Sequence, residues 1–394
     1  MPADNEYFTK LGVLLREVGG GLPRLVVDLD IVDRNIDVLL GLHAPGSLRI
    51  VAKSLPSPDL LEHIFGRLGH ERLMVFHLPF LLQLVERFPD SDILMGKPLP
   101  IAAVQRFYRE RPANRFDDSA RLQWLADTSD RLLQIASLAR DLGKRITVNV
   151  ELDIGMHRGG AGSDAALAAM LDTIRDNAAA LRLGGFMGYD AHVPKAPWPF
   201  TATRASAQSA QRYADCLAFA RSGWSDLEEA PWCVNGAGSP TISMHGSTSP
   251  LNDLSIGSAL VKPTSFDLPT LTGFEPAAWI ATPVLKRLEG VQIPFLEKWP
   301  SRGRETVFVY GGKWMATPCW PDGLRENKTY GVSSNQQMFT IPGGSRLGVD
   351  DYAFLRPTQS EAVLLQFGDL CVVRGERHVA DWPVLSNASR QDKP

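Results

Sequence analysis

Five short stretches carry side chains able to do chemistry, and they follow one another in a telling order. "LRIVAK" closes a strand-like run on Lys53, and "VELDIGMHRGGA" places His157 and Arg158 just past another. "GGFMGYDAHVP" supplies Tyr189 and His192. "VNGAGSPT" sets Gly236, Gly238, Ser239 and Thr241 in a loop whose bare N–H groups suit a phosphate, and "LSIGSAL" adds Gly257 and Ser258 as a second piece of the cradle. Together they combine an amine, a guanidinium, two imidazoles and an anion cradle. Taken singly, each has a plainer reading. A strand-end lysine reaches solvent at a rim, a lone histidine is a satisfied structural residue, and a glycine-serine loop is a common turn.

The elements that must position these residues alternate. "RLVVDLD" is a β-branched run, and "IVDRNIDVLLGLH" after it has helical spacing at Ile31, Ile36, Leu39 and Leu40. "LRIVAK", "RLMVFH", "DILMGK", "RLQWLAD", "RITVNVELD", "LRLGGFMGYDAHV" and "APWCVNGAG" continue the series, with helices predicted between most of them, over Thr128–Leu142 and Ala165–Leu181 for example. Roughly eight such units over about 240 residues predict an α/β fold, a (β/α)8 TIM-type barrel, spanning 22–265. In such a barrel the ends of the strands form the active-site mouth, which is where Lys53 and the loops fall. After Leu260 proline, glycine and aromatic residues become frequent. "AAWIATPVLKRLEG", "ETVFVYGG", "AFLRPTQSEAVLLQ" and "DLCVVRGERHVADWPVL" predict a mainly β domain over 266–385. Residues 1–21 are expected to pack on that β domain, and 386–394 to form a loose tail.

Composition bounds the partners. With 394 residues, 44% hydrophobic and 22% charged, the chain can bury real cores, and its net charge of −3 gives no broad attraction to nucleic acid or an anionic membrane. The four cysteines, Cys216, Cys233, Cys319 and Cys371, form no CxxC pair, which suits a reducing compartment. No signal-like or membrane-spanning run is present, so the chain is expected in the cytoplasm.

In this order the motifs resemble those of the fold-type III pyridoxal-phosphate enzymes, the alanine racemase-like barrel group. Within it, they resemble the branch of D-threonine aldolase, D-serine dehydratase and D-threo-3-hydroxyaspartate dehydratase. The likeness runs from "LPRLVVDLDIVDRNI" through "RIVAKS", "DIGMHRGG", "AHVP" and "GAGSPT" to "PTQSEAVL" and "GDLCVVRGE". It implies that Lys53 attaches pyridoxal phosphate, since only a primary amine makes a Schiff base, and that the released amine serves as the base at Cα. By the same likeness Arg158 lies beside the phenolic oxygen and His192 against the pyridine ring. Gly236, Gly238, Ser239, Gly257 and Ser258 hold the phosphate, and Tyr189 is a further cofactor contact.

On the substrate side this chain departs from the pattern. The relatives hold a divalent metal through a His-x-Cys or His-x-Asp pair, whereas here His378 is followed two positions later by Ala380. Asp381 lies three positions on and faces the opposite side of a regular strand, so His378 and Asp381 meet an ion only if the backbone bulges. "QSEAVL" keeps Glu361 without the histidine expected after it. The reading implied is a deaminase (dehydratase) of a D-β-hydroxy amino acid such as D-serine. D-threonine-type aldol cleavage, racemisation and pyridoxal-phosphate binding without turnover follow as alternatives. His192, Lys262 and Glu361 are the candidates for proton donor to a leaving group. A homodimer with shared sites is expected from the same resemblance.

Overall fold

The computed structural model describes residues 5–290, 295, 304–328 and 331–387. From residue 388 onward the expected tail lies outside the described residues, as do the first four residues of the expected N-terminal segment.

The chain divides into two compact units. The first strand, β1 (Arg24–Asp28), opens not the barrel but the sheet of the unit formed by 1–36, 260–267 and 273–384. The other unit, 37–259, 268–272 and 385–394, contains a closed parallel barrel of eight strands. These are β2 (Leu48–Val51), β3 (Arg72–Val75), β4 (Asp92–Met95), β5 (Leu122–Ala126), β6 (Ile146–Leu152), β7 (Leu181–Gly188), β8 (Cys233–Gly236) and β9 (Asp253–Ile256). The stretch "DLSI", read from sequence only as part of a loop motif, is the eighth strand. The barrel is therefore shifted by one strand from the 22–265 expectation. The run "RLVVD" buries four consecutive residues, as a barrel strand does, so its composition does not distinguish the two sheets.

Helices connect the barrel strands where capping residues allow. Thr128 accepts a hydrogen bond from the Arg131 N–H at 3.2 Å and starts the helix Ser129–Asp141. Ser163 likewise accepts from Ala166 and starts Asp164–Asp176. That helix is shorter than expected, because Asn177 ends it in a turn before β7 begins at Leu181. Among the described residues, no helix is long and apolar enough to cross a membrane.

The barrel closes where β2 pairs with β9, Arg49 opposite Ser255 and Ile50 opposite Ile256. At the base of this seam the Arg49 side chain is fully buried. Its Nε and Nη2 donate to the two Asp253 oxygens at 2.8 and 2.7 Å, its Nη1 donates to the Leu73 carbonyl at 3.0 Å, and its Nη2 reaches Asp92 at 3.2 Å. Four strands are thus tied by one guanidinium whose planar fork matches the carboxylates. Burial pushes the Asp253 carboxyl up, but the Arg49 charge and hydrogen bonds outweigh it and hold the group below the usual range.

The second unit is a nine-stranded sheet completed by β10 (Ala278–Glu289), β11 (Arg304–Tyr310), β12 (Ala316–Trp320), β13 (Arg325–Glu326), β14 (Gln336–Pro342), β15 (Tyr352–Pro357), β16 (Leu370–Arg374) and β17 (Arg377–Trp382). Strand β1 lies inside it, antiparallel to β10 and parallel to β16. Within the same unit the helix Asn5–Val18 packs by Phe8, whose ring centroid lies 4.9 Å from that of Phe354 and 5.6 Å from that of Trp279.

The seam carries a stability prediction. Arg49→Met leaves Asp253 buried with only the more distant Arg72, 3.7 Å away, as counter-charge and is expected to cost about 3 kcal/mol, read as a lower denaturant midpoint at unchanged slope. In the wild type, the Asp253 contribution is present above the ordinary carboxylate pKa and is lost as pH falls through its depressed value, so acid and the substitution should not add.

Candidate active site

The first element is the turn that follows β2. The strand gives way to a single 3-10 turn, Ala52–Ser54, and Pro56 and Pro58 then lead into the helix Pro58–Leu68. Lys53 sits in that turn, half-buried, with Nζ 4.3 Å from the centroid of the Phe76 ring just past β3. An aromatic face at this distance attracts the ammonium form. Lys97, which also follows a strand, is exposed.

The glycine loops lie on the same rim. A Cβ on Gly257 would fall 2.7 Å from Cβ of Ser54 and 3.0 Å from Cβ of Val51, so the second loop lies directly against the turn that carries Lys53. A Cβ on Gly238 would fall 2.7 Å from the Tyr189 ring, and one on Gly236 2.6 Å from Leu251. Ser239 joins the two loops, its hydroxyl oxygen accepting from the N–H groups of Gly257 at 3.3 Å and Ala259 at 3.0 Å. Ala237 holds a left-handed φ of 62°, of the kind found in loops that turn N–H groups toward an anion. Ser258 is buried in the turn that follows β9.

Beyond β6 the chain turns on Asp153. One of its carboxylate oxygens accepts from the N–H groups of Gly155 and His157, each at 3.0 Å, and the other lies 2.9 Å from His157 Nδ1. His157 is thereby turned to Asp153 with its ring exposed, while Arg158 lies 5.3 Å from the centroid of the Tyr189 ring. His192 Nε2 meets the Ser209 hydroxyl at 3.3 Å, and its Nδ1 is buried with no hydrogen-bond partner among the described residues. An open cleft of about 940 Å³ runs beside this ring, lined in part by Met156, Lys195, Phe200 and Arg212.

Sequence reading missed two groups. Burial pushes the carboxyl of Glu151 up, and the neighbouring charge of Arg158 opposes it. The pair Glu151 and Asp153, alternating at the end of β6, was the available signal. The other is Asp190, buried directly after Tyr189, whose partners lie so far along the chain that no local pattern marks it.

With this geometry established, comparisons with known proteins become decisive. Residues 27–264 match the family described as "Alanine racemase, N-terminal domain". The chain belongs to that family. No curated protein matches significantly. Among solved structures, D-threo-3-hydroxyaspartate dehydratase from Delftia sp. HT23 is 17% identical, with a TM-score of 0.72, over 92% of this chain and 97% of that one. D-threonine aldolase from Filomicrobium marinum is 19% identical, with a TM-score of 0.73, over 93% and 96%. Alanine racemase from Bacillus anthracis is 15% identical, with a TM-score of 0.68, over 92% and 97%. These likenesses establish the alanine racemase fold, a barrel followed by a mainly β domain.

Membership of this family implies pyridoxal phosphate as cofactor. The residues present fit it. A half-buried amine stands at the mouth, the Gly238 and Gly257 positions are ones a side chain would block, and an imidazole nitrogen of His192 is buried unpartnered among the described residues. Glycine is required at 257, and Gly257→Val is expected to weaken binding of added pyridoxal phosphate at least tenfold in a visible-absorbance titration.

The expected metal pair lies in the β unit. The register between β16 and β17 shifts between Val372 and Val373, and this irregularity brings His378 Nε2 to 3.1 Å from Asp381. Cys371 completes a group whose donor atoms lie within 4.8 Å of one another. A cation is already there, however: the Arg24 guanidinium is ion-paired to Asp381. Burial pushes the Cys371 thiol up to about 11, and the Arg24 charge opposes that shift. As they stand these side chains fit a guanidinium rather than a divalent ion. Lys262, another candidate proton donor, donates from Nζ to the Phe274 carbonyl at 2.6 Å. Elemental analysis of protein purified without chelator is expected to find well under one zinc or manganese per chain. A full equivalent that disappears in Cys371→Ser would show instead that the ion displaces Arg24.

Proposed function

We propose that this chain is a pyridoxal-phosphate-dependent lyase that deaminates a D-β-hydroxy amino acid, D-serine being the simplest, by loss of the β-hydroxyl. The observation that carries this reading is the seating of Gly257 against the Ser54 side of the Lys53 turn, which puts an anion cradle and an amine on one barrel rim. Lys53 would hold the cofactor covalently, the loops at Gly236–Ser239 and Gly257–Ser258 its phosphate, and Arg158, Tyr189 and His192 its ring. When bound, pyridoxal phosphate supplies an electron sink for the carbanion formed at the Cα of an amino acid.

The chain's own residues would then decide the outcome. Lys53 Nζ takes the proton from Cα on the face it occupies, and Phe76 holds the resulting ammonium in place. Arg158 supplies fixed positive charge at the mouth beside Tyr189, and Glu151 balances it. Departure of the β-hydroxyl requires a proton donor, for which His192 and Glu361 are the candidates. Asp381 and His378 are assigned no step, because Arg24 already holds Asp381.

A second reading, D-threonine-type aldol cleavage, is supported by likeness to the Filomicrobium aldolase as close as that to the dehydratase. Racemisation stands third, on the likeness to alanine racemase, and cofactor binding without turnover last. We further propose a homodimer, to be checked by light scattering.

The test of the cofactor is a visible absorption spectrum of the purified protein and of Lys53→Ala, before and after D-serine. The expected result is a band near the visible edge that shifts with substrate in the wild type and is lost in the variant. A wild type that stays colourless with added pyridoxal phosphate would overturn the cofactor reading. A panel of D- and L-β-hydroxy amino acids then separates the chemistries. Keto acid and ammonia from D-isomers support deamination, aldehyde and glycine support aldol cleavage, and consumption of both enantiomers without either product supports racemisation.

A further inference from the structure

Thr241 ends the first glycine loop, and its hydroxyl donates to Asp190 Oδ1 at 2.7 Å. The other oxygen of Asp190 lies 2.9 Å from His245 Nε2, and His245 Nδ1 lies 3.1 Å from the Ser249 hydroxyl. Asp190 is 3% exposed and His245 10%, so these bonds form out of water, where each is worth more than at the surface. The directions follow from the partners. A carboxylate only accepts, so His245 donates to Asp190 from Nε2, and the Ser249 hydroxyl oxygen accepts from the Leu251 N–H at 3.3 Å.

This chain of bonds grips the glycine loop at both ends. At one end Leu251 packs where a Cβ of Gly236 would stand, 2.6 Å away. At the other, Thr241 is fixed by Asp190, and the N–H groups of Thr241 and Ile242 both donate to the Gly238 carbonyl at 2.9 Å. Between them lies Ala237 in a left-handed conformation that a non-glycine residue holds only when its surroundings impose it. Asp190 also belongs to the loop after β7 that carries Tyr189 and His192, so one carboxylate couples the ring-side loop to the phosphate-side loop.

We propose that Asp190 is a positioning residue for the cofactor phosphate: through Thr241 and His245 it holds the Gly236–Thr241 loop in its anion-receiving shape without touching the ligand. This rests on the pyridoxal-phosphate reading given above. Every polar atom of Asp190, His245 and Ser249 in the relay is already used within it, which suits positioning and leaves none to act on a substrate. The consequence is specific. Loss of the carboxylate weakens whatever the loop holds, the phosphate, and spares what it does not hold, the pyridine ring and its aldehyde.

The test compares two ligands that differ only in that phosphate. Dissociation constants for pyridoxal phosphate and for pyridoxal are measured on cofactor-free full-length wild type, Asp190→Ala, Thr241→Val and Thr241→Ser, by absorbance titration. Asp190→Ala is expected to weaken pyridoxal phosphate at least tenfold and pyridoxal less than twofold. Thr241→Val, which deletes one arm only and keeps the carboxylate, gives a smaller loss of the same selectivity, and Thr241→Ser, which keeps the hydroxyl, restores it.

Parallel weakening of both ligands, or no weakening of either, would overturn the proposal. If Asp190→Ala does not fold, the Thr241 pair decides alone: equal affinities in Thr241→Val and Thr241→Ser would sink it. A wild type that binds neither ligand would fail the cofactor reading itself, an outcome distinct from failure of the positioning role.

Discussion

The guanidinium of Arg49 closes the barrel, and the geometry of the mouth follows from it. Its two bonds to Asp253 pin β2 to β9 at the base of the seam. Lys53 stands four residues beyond Arg49, and Gly257 four residues beyond Asp253. A slip of one residue at the seam would turn the inward set outward and carry Gly257 away from Ser54, so one buried ion pair fixes the distance between the amine and the anion cradle at the other end of the strands. The barrel thus divides its labour: charge buried at the N-terminal ends secures the register, and the C-terminal ends carry the loops.

Around that rim the structure spends glycine where bulk is forbidden and polar side chains where loops must be held. Gly257 and Gly238 admit the approach of Ser54 and Tyr189, Ser239 staples two loops, and Asp190 joins two more. The groups proposed to react come from different strands, and hydrogen bonds join several of their loops. The half-buried carboxyl of Glu151, pushed up by desolvation, and the exposed cation of Arg158 form a charge balance in the same mouth.

In the β unit a different economy holds. The irregularity in the β16–β17 ladder brings His378, Asp381 and Cys371 together, and Arg24, from the strand that opens this sheet, supplies the positive charge. An arginine makes a fixed, geometrically demanding partner for a carboxylate and cannot be deprotonated, unlike a metal-bound water. In the proposed chemistry, assistance to a leaving group is accordingly assigned to protic side chains, the amine, imidazole and carboxyl groups.

By itself the sequence determined the element types, the barrel with its trailing β domain, the strand-end position of Lys53 and the glycine loops. These are local properties: apolar periodicity, capping residues such as Thr128 and Ser163, and glycine where the backbone must pass closely. Only the tertiary structure decided that "RLVVD" joins the β sheet and "DLSI" closes the barrel, because a fully buried strand reads alike in either sheet. Only it decided that His378 and Asp381 share a face, since a register irregularity is a property of two paired strands. The partners of Asp190, Thr241 and His245, lie more than fifty residues away, and Arg24 and Asp381 more than three hundred and fifty. No spacing along one chain encodes such contacts, because they exist only once the loops and strands that carry them have packed.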